Sequence, residues 1–320
     1  MKITDIDIRM CRHKETGMKD SEMRDGKKSD LEFLVITFHT DEGLSSSTFG
    51  FAGRGAAMAG EIANSIFKPF FIGRDPLYRE KHWHEYRTAD RWWNHAPIYS
   101  YGPFDINCWL LSSMKAEQPL YKYLGAYRDS VPIYGSSLVL KTPDAYAKEA
   151  LEYKNRGFNA YKLHPPGDYD FDLEAHKAVR KAVGDDFKLM SDPVAPYTFE
   201  QALRFGRELE KLNYYWYEEP LFDENFHNLR ELTRILDIPI VGTEVLAKHP
   251  YSVAECISTR VVDVVRADPS WSGGITATMK TAHLAESFGV SCEIHTAIYH
   301  PLELVNLHCC AAIKNCEFFE

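Results

Sequence analysis

At 320 residues, 45% hydrophobic and 26% charged, the chain has the composition of an ordinary globular protein with room for one large or two ordinary domains. A net charge of −9 implies no basic face for a nucleic-acid backbone, and no window reaches the roughly 18 apolar residues of a membrane span. Seven cysteines, an odd number without CxxC spacing, read as reduced, mostly buried thiols of a cytoplasmic protein with no zinc site.

MKITDIDIRM and LEFLVITFHTDEG alternate apolar and polar residues, which predicts antiparallel strands in the first 50 residues and a turn at Asp41 to Gly43. The first of them lacks the apolar core of a secretory leader. Between them, a charged loop from about Arg12 to Asp30 carries Lys14, Lys19, Arg24, Lys27 and Lys28. Such a loop is either simply solvated or a lid over a site. Residues 45–55, rich in Gly and Ser and including Ser47, Thr48 and Arg54, read as a second loop. From Ala56 to about Leu124 the pattern is helical, and Gly125 is placed as a C-cap.

From Val131 onward strands and helices alternate. Strands are predicted at 131–135, 160–164, 187–192, 215–219, 239–244, 264–268, 291–295 and 316–320. Helices fill the intervals at 143–156, 172–183, 199–211, 225–236, 250–258, 274–288 and 300–312. From the second strand on, the strand ends fall at 164, 192, 218, 244, 268, 295 and 320, at intervals of 24 to 28 residues. Seven βα units of near-constant length and one further strand indicate a closed parallel barrel. An open doubly wound sheet would want a Gly-rich phosphate loop after its first strand, and VPIYGSSLV offers none.

In a barrel, chemistry sits where the strands end. Those ends hold Lys162 and His164, Asp192, Glu218 with Glu219 beside it, Glu244, Asp268, His295 and Glu320, and every one is ionisable. Asp192, Glu218 and Glu244 recur at 26-residue steps, so three carboxylates should project from neighbouring strands. An all-oxygen set suits a hard divalent cation, Mg²⁺ ahead of Ca²⁺ or Zn²⁺. Asp268 and His295 lie one barrel unit apart, a spacing that lets the acid orient the imidazole.

YKLH at the second strand, SDP at the third, YEEP at the fourth, GTE at the fifth, RADPSWSGGIT at the sixth and EIH at the seventh together resemble the enolase superfamily, mandelate racemase-like subgroup. The resemblance spans essentially the whole chain. It implies an α/β fold: an α+β capping domain over residues 1–125, then a (β/α)₇β modified TIM barrel over 126–320. It also implies that Asp192, Glu218 and Glu244 bind one Mg²⁺ that holds a substrate carboxylate, while a base removes the adjacent proton to give an enediolate. Lys162 would add positive charge at that carboxylate, and Asp268 with His295 would form the acid–base dyad. Glu320 would hydrogen-bond the substrate carboxylate.

Two departures stand out. The subgroup often has Lys-x-Lys at the second strand where this chain has Lys-x-His, which makes His164 a second acid–base candidate. Family members also continue past the eighth strand, so a C-terminal return segment is expected to be missing. Asp268 stands where muconate-cycloisomerase-like members carry lysine, which disfavours that relative. The resemblance points to dehydration of an aldonate, aldarate or uronate to a 2-keto-3-deoxy acid. Racemisation or epimerisation of a 2-hydroxy acid is the alternative, and a non-catalytic sugar-acid-binding barrel a further one. Arg24 and Arg54 are candidate substrate contacts from the cap, beside Lys27, Ser47 and Thr48, with Trp92 and Trp93 as the apolar exception. A homo-oligomer is expected.

Overall fold

The computed structural model describes residues 1–13, 31–53, 55–91, 96–245, 249–296 and 300–320. They fall into two compact units. One comprises Met1–Asp129, Ala267–His283 and Thr296–Lys314, the other Ser130–Arg266, Leu284–His295 and Asn315–Glu320.

In the first unit, β1 (Ile3–His13), β2 (Leu31–Thr40) and β3 (Ser45–Gly53) form an antiparallel sheet in that order. Alternation along β1 and β2 buries Ile6, Leu34, Ile36 and Phe38 on one face. Helices α1 (Ala56–Ile62), α2 (Lys68–Phe71), α3 (Arg79–Ala89), α4 (Ile98–Lys115) and α5 (Leu120–Tyr123) follow, with a π-helical turn, Ala63–Phe67, between the first two. Their aromatic side chains complete the core: Phe71 stacks on Phe104, and Tyr86 on Tyr101 with ring centres 4.3 Å apart. The expected turn at Asp41 to Gly43 is present, and Gly43 adopts φ +79° there. Gly125, at φ +117°, follows α5 as expected of a glycine that closes a helix.

The stretch 45–53 is not the loop its composition suggested but β3. Ser46 and Thr48 alternate inward and are buried, and the Ser46 hydroxyl donates to Asn107 Oδ1 of α4 at 2.7 Å. A Cβ on Gly50 would stand 3.3 Å from Leu34 Cβ and 3.5 Å from Pro103 Cγ. Small side chains let α4 lie close on this strand, so the features that read as loop serve helix-on-sheet packing.

The second unit holds a parallel sheet of β4 (Tyr134–Ser136), β5 (Ala160–Leu163), β6 (Lys188–Ser191), β7 (Trp216–Glu218), β8 (Ile240–Gly242), β9 (Val264–Ala267) and β10 (Ser291–Ile294), ordered as in the chain. Between its strands run α6 (Pro143–Asn155), α7 (Tyr169–Val183), α8 (Phe199–Lys211), α9 (Phe226–Ile235) and α10 (Pro250–Ser258); of the later helices, most of α11 (Ile275–Ser287) and all of α12 (His300–Ala312) belong to the first unit. Their starts follow capping chemistry: the Thr142, Asp168 and Asn225 side chains accept helix N–H groups, and Thr198 with Gln201 forms a capping box. No helix among the described residues is long and apolar enough to cross a membrane. All seven cysteines are free thiols, and six are buried.

The eighth strand, expected at 316–320, shrinks to one parallel bridge between Ile133 and Phe319. Phe319 N donates to Pro132 O at 2.8 Å and Tyr134 N to Phe319 O at 3.1 Å, so this segment bonds the β4 edge of the sheet. On the β10 edge, Cys292 N donates to Asn315 O at 2.7 Å. There the Glu293 carboxylate takes the N–H groups of Glu317 and Phe318 that a strand partner's carbonyls would otherwise accept. A side chain thus replaces part of the ladder.

Tyr134, Ala160, Met190, Trp216, Val241 and Phe318 form a buried apolar cluster inside this sheet, with Val264 packed against it. Because strand side chains alternate with period two, the next interior layer is Ser136, Lys162, Asp192, Glu218, Thr243, Arg266 and Glu320. A charged layer therefore lies directly above an aromatic floor.

Candidate active site

Lys162 and Arg266, both about 1% exposed, organise that layer. Lys162 Nζ lies 3.4 Å from Asp192 Oδ2, 3.2 Å from Glu218 Oε2 and 2.9 Å from Glu320 Oε1. Arg266 Nε lies 2.7 Å from Glu218 Oε1 and 3.3 Å from Glu244 Oε2, and its Nη2 lies 2.7 Å from Glu320 Oε2. Trp216 Nε1 donates to Glu218 Oε2 at 3.2 Å. Two histidines approach the same acids: His164 Nε2 is 3.0 Å from Asp192 Oδ2, and His295 Nε2 is 3.3 Å from Glu244 Oε1.

The backbone is bent to bring these groups together. Val194 and Ala195 follow Asp192 with φ near +60°, Glu219 follows Glu218 at +36°, and Thr243 precedes Glu244 at +78°. Such conformations cost on the order of 1–3 kcal/mol each for residues other than glycine. Two pins hold them. Ala195 N donates to Glu219 O at 2.8 Å, and Thr243 Oγ1 both donates to Arg266 O and accepts from Arg266 N. Simple alternation after inward-facing Thr243 would point Glu244 out of the barrel; the left-handed turn brings it to Arg266 and His295.

Electrostatics follow from this crowding. Burial disfavours charge on Lys162, but Glu218 and Glu320 outweigh it and hold its pKa well above the ordinary value. Arg266 is likewise held cationic against burial by Glu218, Tyr134, Glu320 and Glu244. Burial pushes Glu218 up to about 7 although Arg266 and Lys162 pull it down. Asp192 and Glu320 move the other way: burial raises each, and His164 and Lys162 for the first, Lys162 and Arg266 for the second, lower it further. For His164, burial opposes the cation and the Asp192 carboxylate overrides it, so its pKa is raised. Its Nδ1 faces the Ser137 carbonyl at 2.8 Å, which can only accept, so that nitrogen carries a proton and Nε2 is the one left for chemistry.

Among the described residues no three His, Cys, Asp or Glu side chains converge as ligands of one ion; the acids turn oxygens onto Lys162 and Arg266 instead. The donor chemistry nevertheless fits a hard divalent cation. Asp192, Glu218, Glu244 and Glu320 bring four carboxylates against the two fixed cations Lys162 and Arg266. Beside them Glu219 is buried, with Oε1 lacking a hydrogen-bond partner. Burial and then Glu244, Asp192, Asp223 and Glu218 push it up to about 10. The carboxylates outnumber the cationic side chains even with His164 counted, an excess of acid that suits a divalent ion.

The structure thus gathers Lys162, His164, Asp192, Glu218, Glu244, His295 and Glu320 in one place. Asp268, in the other unit, accepts from Ser270 N and Oγ at 2.6 and 2.7 Å. Arg24 and Arg54 lie outside the described residues, as do Lys27, Trp92 and Trp93. Arg266 was missed by attending to strand ends alone. Period two along VVRAD assigns it to the interior as surely as Asp268.

A parallel barrel with acids at consecutive strand ends defines an α/β enzyme scaffold whose chemistry lies at the strand C-termini. Residues 145–320 match the family model described as enolase C-terminal domain-like. The chain is 30% identical to the arabinonate dehydratase of Saccharolobus solfataricus over 279 residues, 83% of this chain and 74% of that one. It is 29% identical to the L-talarate/galactarate dehydratase of Salmonella typhimurium over 90% of this chain and 76% of that one. The crystal structure of D-glucarate dehydratase from Agrobacterium tumefaciens complexed with magnesium superposes with a TM-score of 0.88 at 33% identity, covering 100% of this chain and 86% of the other. Its relatives also include a hydrophobic dipeptide epimerase of Enterococcus faecalis, 27% identical over 84% of this chain and 75% of that one. The chain belongs to the enolase superfamily, with a mandelate racemase-like barrel.

Proposed function

We propose that this protein is a magnesium-dependent acid-sugar dehydratase, with residues 1–125 as its cap and 126–320 as its catalytic barrel. The observation that carries the reading is the gathering of Asp192, Glu218 and Glu244 around Lys162 and Arg266 with an imidazole at either side. Asp192, Glu218 and Glu244 would hold the Mg²⁺. When bound, that ion supplies Lewis-acid stabilisation of the charge that develops on the substrate carboxylate, worth several kcal/mol. Lys162, freed from its acids, sets an ammonium against the same carboxylate, and Glu320 orients it. His164 Nε2 or His295 takes the proton from the carbon beside the carboxylate. His295 then protonates the departing 3-hydroxyl, which leaves as water, and the resulting enol becomes a 2-keto-3-deoxy acid. Dehydratases among the relatives at about 30% identity support a sugar-acid substrate.

A second reading has its own support. His164 and His295 reach the acids from different strands, and a proton removed by one imidazole and returned by the other gives epimerisation. An epimerase and a racemase among the relatives favour the same outcome. Incubating the protein with a panel of aldonates, aldarates and uronates in D₂O, with and without Mg²⁺, separates these readings. 2-Keto acid formation supports the dehydratase, and α-deuteration with all hydroxyls retained supports the epimerase. Neither, in the presence of Mg²⁺, refutes both.

A further inference from the structure

Arg266 takes no part in the proton transfers above, yet its guanidinium is shared among several acids of the buried layer. Its guanidinium meets Glu218 at 2.7 Å, Glu244 at 3.3 Å and Glu320 at 2.7 Å, and Nη1 lies 3.4 Å from the Tyr134 hydroxyl. Its own N–H and carbonyl are both gripped by the Thr243 hydroxyl, at 3.1 and 3.0 Å. Backbone and side chain are thus fixed by the turn that places Glu244. We propose that Arg266 is the positioning residue of the cation site, setting the rotation of the Glu244 carboxylate by a hydrogen bond and holding Glu218 beside it by charge. This inference rests on the reading that those acids hold Mg²⁺.

A buried cation here has two possible roles, and they predict opposite signs. As a plain counter-charge, Arg266 would compete with Mg²⁺ for the acids, so deleting it would tighten metal binding. As a positioning group, its planar fork holds carboxylates in direction as well as by attraction, so deleting it would weaken metal binding. Lys162 already supplies a point charge on the other oxygen of Glu218. What Arg266 adds is direction: Nε donates to Glu244 at 3.3 Å and Nη2 to Glu320 at 2.7 Å, while Glu218 Oε1 is held 2.7 Å from Nε by charge, without a hydrogen bond. A lysine at 266 would keep the charge and lose the fork.

The test uses the full chain as wild type, Arg266→Lys and Arg266→Met. Mg²⁺ affinity is measured by calorimetry, Mn²⁺ binding by electron paramagnetic resonance, and folding by circular dichroism in EDTA. Expected are a folded Arg266→Lys variant with Mg²⁺ affinity reduced by roughly 10- to 100-fold, the range for residues that orient metal ligands, and an altered Mn²⁺ spectrum. Arg266→Met should bind at least as weakly as Arg266→Lys. Wild-type affinity and spectrum in Arg266→Lys would overturn the proposal, as would tighter binding by Arg266→Met. If Arg266→Met does not fold, Arg266→Lys decides alone. A wild type that binds neither ion would instead overturn the magnesium reading, and this inference with it.

Discussion

Asp105→Asn should change how the protein's stability depends on pH. Asp105 lies on α4, 1% exposed, and accepts from Thr276 N at 2.9 Å and Thr276 Oγ1 at 2.6 Å. It thereby caps the N-terminus of α11, just after the turn that carries Asp268. Gly274, at φ +97°, lacks the Cβ that would collide with this carboxylate. Burial pushes the Asp105 pKa up to about 7; the Thr276 bonds and Arg79 moderate the rise and Glu80 adds to it. An unfolded aspartate titrates near ~3.9, so the folded state binds its proton more tightly. The associated stability is present in full below the unfolded value and is lost as pH rises through about 7. Between pH 5 and pH 7 that amounts to roughly 2–3 kcal/mol, at about 1.4 kcal/mol per pH unit. Asparagine keeps an oxygen for Thr276 N but cannot ionise, and its amide nitrogen reverses the second bond, donating to Thr276 Oγ1. Urea unfolding of both proteins at pH 5, 6, 7 and 8 should show the variant gaining on wild type by that amount across the range. Parallel pH curves would refute the buried-carboxylate argument.

Mg²⁺ at about 100 times its Kd should stabilise wild type by roughly 2.7 kcal/mol, a melting-temperature rise of about 5 °C, and Asp192→Asn should lose most of that rise; equal shifts in both would remove Asp192 from the ligand set. His295→Asn should abolish 2-keto acid formation, by ~10²-fold or more, while Mg²⁺ calorimetry stays close to wild type; wild-type dehydration would remove His295 as the acid. Thr243→Val strips both hydrogen bonds from Arg266's backbone and should cost about 1–3 kcal/mol in denaturant unfolding, whereas Thr243→Ser, which keeps the hydroxyl, should stay within roughly 0.5 kcal/mol. A valine variant as stable as the serine one would show that the strained turn does not need this pin.

What could be read in the sequence depended on whether a residue's reason for being there was periodic. The βα units announced themselves because strand and helix each impose a period, and the helix at 199–211 emerged with its predicted bounds since Thr198 and Gln201 mark its start chemically. Asp192, Glu218 and Glu244 were legible through their common spacing. β3 was not, because Ser46, Thr48 and Gly50 are small for the sake of α4, a partner distant in sequence. The last strand was overread because FF in CEFFE signals β structure, whereas Glu293 supplies much of its bonding from a side chain.

Glu244 shows the limit most clearly. Counting by twos along β8 from Val241, an interior residue, assigns Thr243 to the interior and Glu244 to the outside. The matching 26-residue step, by contrast, assigns Glu244 to the site. A left-handed Thr243 reconciles the two, turning Glu244 toward Arg266 and His295, and its hydroxyl is bonded twice to Arg266. A β-branched residue at φ +78° has no local advantage and does not announce itself by residue type. Strain here is evidence of a requirement, since a glycine would satisfy the turn more cheaply but could not hold the arginine. Glu244, the turn and the buried guanidinium therefore stand or fall together, which is why variants at 243 and 266 should move cation affinity in the same direction.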